Sequence, residues 1–177
     1  NYARTKELYL REFGERLKVF LCSQKTIPDP LLPWVQAKGS ITQKAVGLGL
    51  KAQVSLLNSR WHSEVLYERE IVMLCNDSPW WYARTEIPKS TYIKKAKMWD
   101  NLGENSLGCV LFSDPTIKRV HLSFKQVDKA EPLYRQAAIH DNLSGHALWA
   151  RFSEFDVDGD PLYLTEVFLP SMIAYLC

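Results

Sequence analysis

The chain predicts an α+β fold, a single antiparallel β-sheet of about six strands with helices packed on it. Three observations lead there. Strand-like runs are separated by hairpin turn signals, notably Asn76-Asp77-Ser78-Pro79 and Asp156-Val157-Asp158-Gly159-Asp160. Helical spacing occurs early and in the middle of the chain. The closing run, Pro161 to Pro170, is a strand with no polar face, so it is covered on both sides.

Composition sets the frame. At 177 residues the chain is long enough to bury about 70% of its unfolded surface as one domain. It is 46% hydrophobic and 24% charged with a net charge of +2, and its Lys and Arg are scattered, which argues against a nucleic-acid partner. No apolar run approaches the ~20 residues of a membrane span, and the start lacks a signal-peptide core, so a cytoplasmic protein without membrane insertion is expected. Cys22, Cys75, Cys109 and Cys177 form no CxxC pair, which suggests neither zinc nor a disulfide framework. No unexplained apolar face stands out, and a monomer is expected.

In chain order, residues 1–20 read as an amphipathic helical leader, with Leu10, Phe13, Leu17 and Phe20 at helical spacing, ahead of a domain spanning residues 21–177. Leu31 to Ala37 form a short helix carrying Leu32, Trp34 and Val35. Ser40 caps another short turn, which Gly47-Leu48-Gly49 limits. Lys51 to Leu57 alternate as a half-exposed strand, and Asn58 to His62 read as a loop. Leu66 to Cys75 and Tyr82 to Ile87 are strands joined by the Asn76 hairpin, so Arg69 and Arg84 are expected side by side. A helix is expected over Ile93 to Met98, and a short segment over Val110 to Phe112. Ile117 to Phe124 is a strand, Asp128 to Ser144 a polar loop, and Leu148 to Phe155 a strand with Trp149, Arg151, Ser153 and Phe155 on one face. The Asp156 turn has its glycine in the wrong register for an EF-hand and is a hairpin.

Candidate site residues follow from charge in apolar company. Glu166 shares a strand face with Leu162, Leu164 and Phe168, and Arg69 one with Tyr67, Ile71 and Met73. A charge so placed needs a partner. Either they form a structural ion pair, or two arginines and a glutamate bind a small anion that also carries a hydroxyl. His62, His121, His140 and His146 lack metal or triad spacing and read as surface or loop residues.

Leu31-Leu32-Pro33-Trp34, Ser40-Ile41-Thr42, Arg69-Glu70-Ile71, Pro79-Trp80, Ala83-Arg84-Thr85, Ser106-Leu107-Gly108 and Pro161 to Pro170 together resemble the chorismate–pyruvate lyases of ubiquinone biosynthesis, over roughly residues 19–175. The resemblance implies helical flaps over a buried ligand pocket. It implies conversion of chorismate to 4-hydroxybenzoate and pyruvate, with Arg69 on a ligand carboxylate and Glu166 on the hydroxyl end of the ring. Main-chain groups of Ile41 and Leu107 complete the contacts, and Arg84 supports affinity. Glu166 and Arg69 are thus the implied catalytic pair, and no cofactor or metal is implied. Cys109 stands where a basic residue is usual, leaving the second substrate carboxylate short of a partner. The other expectation is a non-catalytic sensor domain of the same fold. The regulators that carry such domains place a winged helix ahead of them, and residues 1–27 are too short for one.

Overall fold

Residues 2–13, 27–141 and 147–177 are described by the structure, a computed structural model. In chain order the elements are α1 (Tyr2–Phe13), α2 (Leu32–Val35), α3 (Ile41–Gly47), β1 (Ala52–Ser63), β2 (Leu66–Cys75), β3 (Ser78–Pro88), α4 (Lys89–Lys94), α5 (Ala96–Asp100), α6 (Leu107–Ser113), β4 (Ile117–Val127), α7 (Pro132–Ala138), β5 (Leu148–Val157), β6 (Asp160–Phe168) and α8 (Pro170–Leu176). The predicted α+β class holds. Six strands form one sheet in the order β1-β2-β3-β6-β5-β4, antiparallel throughout. Two three-stranded meanders therefore meet at the β3–β6 seam, and helices α4, α5 and α6 lie in the chain between them. Among the described residues no helix is long and apolar enough to cross a membrane.

Both hairpins turn where the sequence placed them. Asn76 (φ 49°) and Asp77 (φ 66°), then Asp158 (φ 50°) and Gly159 (φ 87°), adopt the left-handed pairs that a two-residue turn between right-twisted strands requires.

Every residue of β6 is buried, as its unbroken apolar run implies. Leu162, Leu164 and Phe168 join a core on one face of the sheet, with Ile71, Met73, Trp81, Trp149 and Phe155. Trp34 of α2, Ile41 of α3, Trp99 of α5, Leu107 of α6 and Met172 of α8 cover that inner face. Tyr163, Val167 and Leu169 join the outer core, with Tyr82, Ala150 and Phe152, covered by Tyr9 of α1 and by Leu133 and Ala137 of α7. Tyr9 stacks on Tyr163 with ring centroids 4.0 Å apart, which holds α1 against the sheet. Each such fully buried side chain contributes about 1.5–3 kcal/mol of burial free energy.

Three local expectations change. Asn58 to His62 are not a loop, because β1 continues to Ser63 as an exposed edge strand with irregularities at Leu56/Asn58 and Trp61/Ser63. The segment Asp128 to Ser144 holds a helix, α7, with Pro132 in its first turn and Leu133 and Ala137 facing the sheet. Ile93 to Met98 is not one helix, since the backbone breaks at Lys95 (φ −133°, ψ 33°) between α4 and α5. Leu17 and Phe20 of the expected leader lie outside the described residues, as do Cys22 and His146.

Candidate active site

The inner face carries a row of facing positions. Ile71 of β2 lies opposite Ala83 of β3, Ala83 opposite Glu166 of β6, and Glu166 opposite Arg151 of β5. One step along, Arg69 faces Thr85, and Thr85 faces Leu164. Above this floor stand the starts of α3 and α6, which close a cavity lined by Ser40, Ile41, Thr42, Ser106, Leu107 and Gly108 from the helices.

Those two starts are locked together. Ser40 caps α3 by accepting from the Gln43 amide, and the Ser106 hydroxyl donates to Thr42 Oγ1 at 3.0 Å. A Cβ on Gly108 would come within 2.9 Å of Ser40 Oγ, so only glycine permits this approach. The free space beneath is small, about 30 Å³, room for little more than a water. A six-membered ring needs more room than the side chains leave here. A larger hollow of about 430 Å³ between α1 and α4 is lined, among the described residues, mainly by apolar groups, with Arg4 and Lys89 beside them and no carboxylate.

Among the described residues, four charged side chains line the cavity. Arg69, 5% exposed, donates through Nη2 to the carbonyls of Gly103 (3.0 Å) and Asn105 (2.9 Å). Burial pushes its guanidinium down to about 10, partly offset by Tyr67, so it stays charged at neutral pH. Glu166 accepts from Arg151 Nε at 2.6 Å, a buried ion pair made through Oε1. Arg151 Nη1 is held by the carbonyls of Trp34 (3.0 Å) and Ala37 (3.1 Å). Arg119 of β4 donates through Nη1 to the carbonyls of Ala37 and Lys38, and its guanidinium carbon lies 5.2 Å from the ring centres of both Phe112 and Phe155. Burial, then the nearby charge of Arg151, push Arg119 down to about 10. Three guanidiniums thus face one carboxylate, leaving two uncompensated positive charges around an apolar floor.

Of the sequence candidates, Arg69, Glu166, Ile41 and Leu107 come together here; the last two occupy the first positions of α3 and α6, where the amide has no intrahelical partner. Arg84 does not join them. Paired residue by residue from Cys75–Ser78, the hairpin would set Arg69 opposite Arg84, but a bulge at Trp80 shifts the register so that Met73 meets Trp81 and Arg69 meets Thr85. One residue of slip turns a side chain to the other face. Arg84 therefore points to the outer face, donating to Glu86 Oε1 (3.3 Å) and Gln136 Oε1 (2.9 Å). Cys109 is exposed and does not line the cavity. Arg151 and Arg119 were not among the candidates. For Arg151 the signal was available: it shares a strand face with Trp149 and Phe155, the same apolar company that singled out Arg69. Arg119 alternates with exposed residues and gave no such sign.

The fold and site together define an α+β domain with a small, positively charged cavity between its sheet and the starts of two short helices. The chain belongs to the chorismate lyase family, whose model matches residues 23–175. It is 31% identical over 156 residues to a probable chorismate pyruvate-lyase of Nitrosospira multiformis, covering 79% of this chain and 86% of that one. It is 30% identical over 164 residues to a probable chorismate pyruvate-lyase of Psychromonas ingrahamii, covering 85% and 88%. Among solved structures, the crystal structure of PhnF from Mycobacterium smegmatis is similar at 17% identity and a TM-score of 0.48, over 77% of this chain and 66% of that one.

Proposed function

We propose that the protein is a lyase converting chorismate to 4-hydroxybenzoate and pyruvate, the first committed step of ubiquinone biosynthesis. The observation that carries this reading is the charge balance of the cavity, where three guanidiniums and one carboxylate suit a dianion. Arg69 takes the ring carboxylate in a forked pair of hydrogen bonds. Glu166, two strands away and about 10 Å across the sheet, meets the hydroxyl at the para position. The amides of Ile41 and Leu107 add main-chain contacts.

In the reaction the ether bond at ring carbon 3 breaks, the hydrogen at carbon 4 is lost, and the ring becomes aromatic. The leaving enol gains a proton at its methylene carbon and becomes pyruvate. Glu166 either accepts the carbon-4 proton or holds the hydroxyl while that hydrogen passes directly to the departing side chain. Turnover in D₂O separates the two routes, because a proton passed to Glu166 exchanges and leaves deuterium in the pyruvate methyl group. Direct transfer leaves that methyl unlabelled.

Parting of the flaps must also precede release, so product departure is expected to limit turnover, and a burst of product in the first turnover is the sign to look for. The same reading takes the protein as a cytoplasmic monomer. The primary test is purified protein with chorismate, following pyruvate and the ultraviolet absorption of 4-hydroxybenzoate. Binding of 4-hydroxybenzoate without turnover would replace the lyase reading with that of a sensor.

A further inference from the structure

Two guanidiniums share one carbonyl in this cavity. Ala37 O accepts from Arg151 Nη1 at 3.1 Å and from Arg119 Nη1 at 3.2 Å, so the α2–α3 loop holds like charges together. Arg151 has a counter-charge in Glu166. Arg119 makes no ion pair among the described residues, and its Nε and Nη2 are buried there without a hydrogen-bond partner. A buried donor left unmade costs free energy, and a buried unpaired charge costs more. These two donors occupy one edge of the guanidinium plane, spaced to meet the two oxygens of a carboxylate. Phe112 and Phe155, both near the guanidinium, restrict how it can turn.

We infer that Arg119 is a specificity-determining residue that binds the second carboxylate of the substrate, the one on the enolpyruvyl side chain. This rests on the chorismate reading above. Sheet order supplies the direction. Arg69 lies on β2, Glu166 on β6, Arg151 on β5 and Arg119 on β4, so the charges run across the sheet from one meander to the other. A ring with its carboxylate at Arg69 and its para hydroxyl at Glu166 carries its ether side chain on the carbon beside that hydroxyl. The side-chain carboxylate then falls beyond Glu166, towards Arg151 and Arg119. Arg151 is occupied by Glu166 and two carbonyls. The open edge belongs to Arg119. The partner that Cys109 fails to supply therefore comes from β4.

The test compares a dianion with a monoanion on the full chain. In Arg119→Gln the chorismate KM and dissociation constant are expected to rise at least about 30-fold, while 4-hydroxybenzoate, which lacks the second carboxylate, binds within about threefold of the parent. Arg119→Lys restores the charge without the fork and recovers part of the loss. Equal weakening of both ligands, or no weakening of chorismate, overturns the inference. If the glutamine variant does not fold, the lysine variant decides by the same ratio. A parent that binds both ligands without turnover would sink the lyase reading alone, because the ratio of affinities still judges Arg119. A parent that binds neither removes both.

Discussion

The two faces of the sheet carry arginines at similar burial and treat them differently. On the outer face Arg84, 6% exposed, donates to Glu86 and Gln136, and the neighbouring Tyr82 hydroxyl donates to Glu70 at 2.5 Å. Glu68 is buried nearby on the same strand. Positive charge there is outnumbered by carboxylates. On the inner face, among the described residues, three guanidiniums share one carboxylate, and main-chain carbonyls take up several of the other donors but not Arg119 Nε and Nη2. A buried arginine among carboxylates is part of the fold. A buried arginine held by carbonyls keeps its net charge.

The sharpest way to break this comparison is to remove the inner charges. Arg69→Ala and Glu166→Gln are each expected to lower kcat/KM for chorismate by roughly 100- to 1,000-fold, the cost of leaving a buried charge unmatched. Steady-state kinetics read it, and an unchanged kcat/KM in either variant would remove that residue from the site. The outer face should respond in a different currency. Arg84→Gln removes the Arg84–Glu86 ion pair and should cost about 1–3 kcal/mol of stability, seen as a lower urea midpoint, with kcat/KM changed less than about fivefold. A large kinetic loss at an unchanged midpoint would place Arg84 in the chemistry by a route its position does not suggest.

Gly108→Ala is a smaller perturbation of the inner face alone. Its Cβ meets Ser40 Oγ at 2.9 Å, so the hydroxyl that caps α3 must turn away or the two helix starts must move apart, costing about 1–3 kcal/mol. Thermal unfolding should show the loss, and faster dissociation of 4-hydroxybenzoate should accompany it. Unaltered dissociation would mean that these two helix starts do not gate the cavity.

The mildest test is pH, and the faces should answer at opposite ends. On the outer face His140 stacks on Tyr82, and burial lowers its pKa despite the opposing charge of Glu70. As pH falls below 6.5 the unfolded chain takes up that proton first, so stability declines. Glu70 is pushed up by burial, but hydrogen bonds from Tyr82 and Asn58 and the charge of Arg84 outweigh it and leave it low. Its stabilisation is present above its unfolded pKa and is lost as pH falls through its lower folded value. Denaturation midpoints from pH 7 to 3 follow both, and His140→Phe should flatten the upper part. On the inner face Arg69 and Arg119 release protons near pH 10, below their unfolded value. Stability should rise as pH climbs past about 10, since the unfolded chain still holds those protons, while affinity for benzoate falls over the same range. Calorimetric titration with benzoate checks this, because its carboxylate keeps one charge throughout.

Much of the site was readable because it lies on strands. Strict alternation put Arg69 with Ile71 and Met73, and Glu166 with Leu164 and Phe168, and the inner core contains those same apolar neighbours. Alternation fixes a face within one strand, whereas pairing between strands depends on every irregularity. The bulge at Trp80 was invisible in Pro79-Trp80-Trp81, and it was enough to send Arg84 away from Arg69. The second half of the edge strand β1 and the short helix α7 were missed for a related reason. Exposed residues from Asn58 to His62 carry no apolar pattern, and seven residues give α7 barely two turns of spacing.

The carbonyls that hold the cavity's arginines belong to Trp34, Ala37, Lys38, Gly103 and Asn105. An amide oxygen is present whatever side chain its residue bears. Substitution at Lys38 or Asn105 leaves these supports in place, and relatives are free to diverge there without losing the site. Insertions and deletions are another matter, because one residue more or less in either loop moves every oxygen at once. The constraint on these segments is on their length more than on their letters.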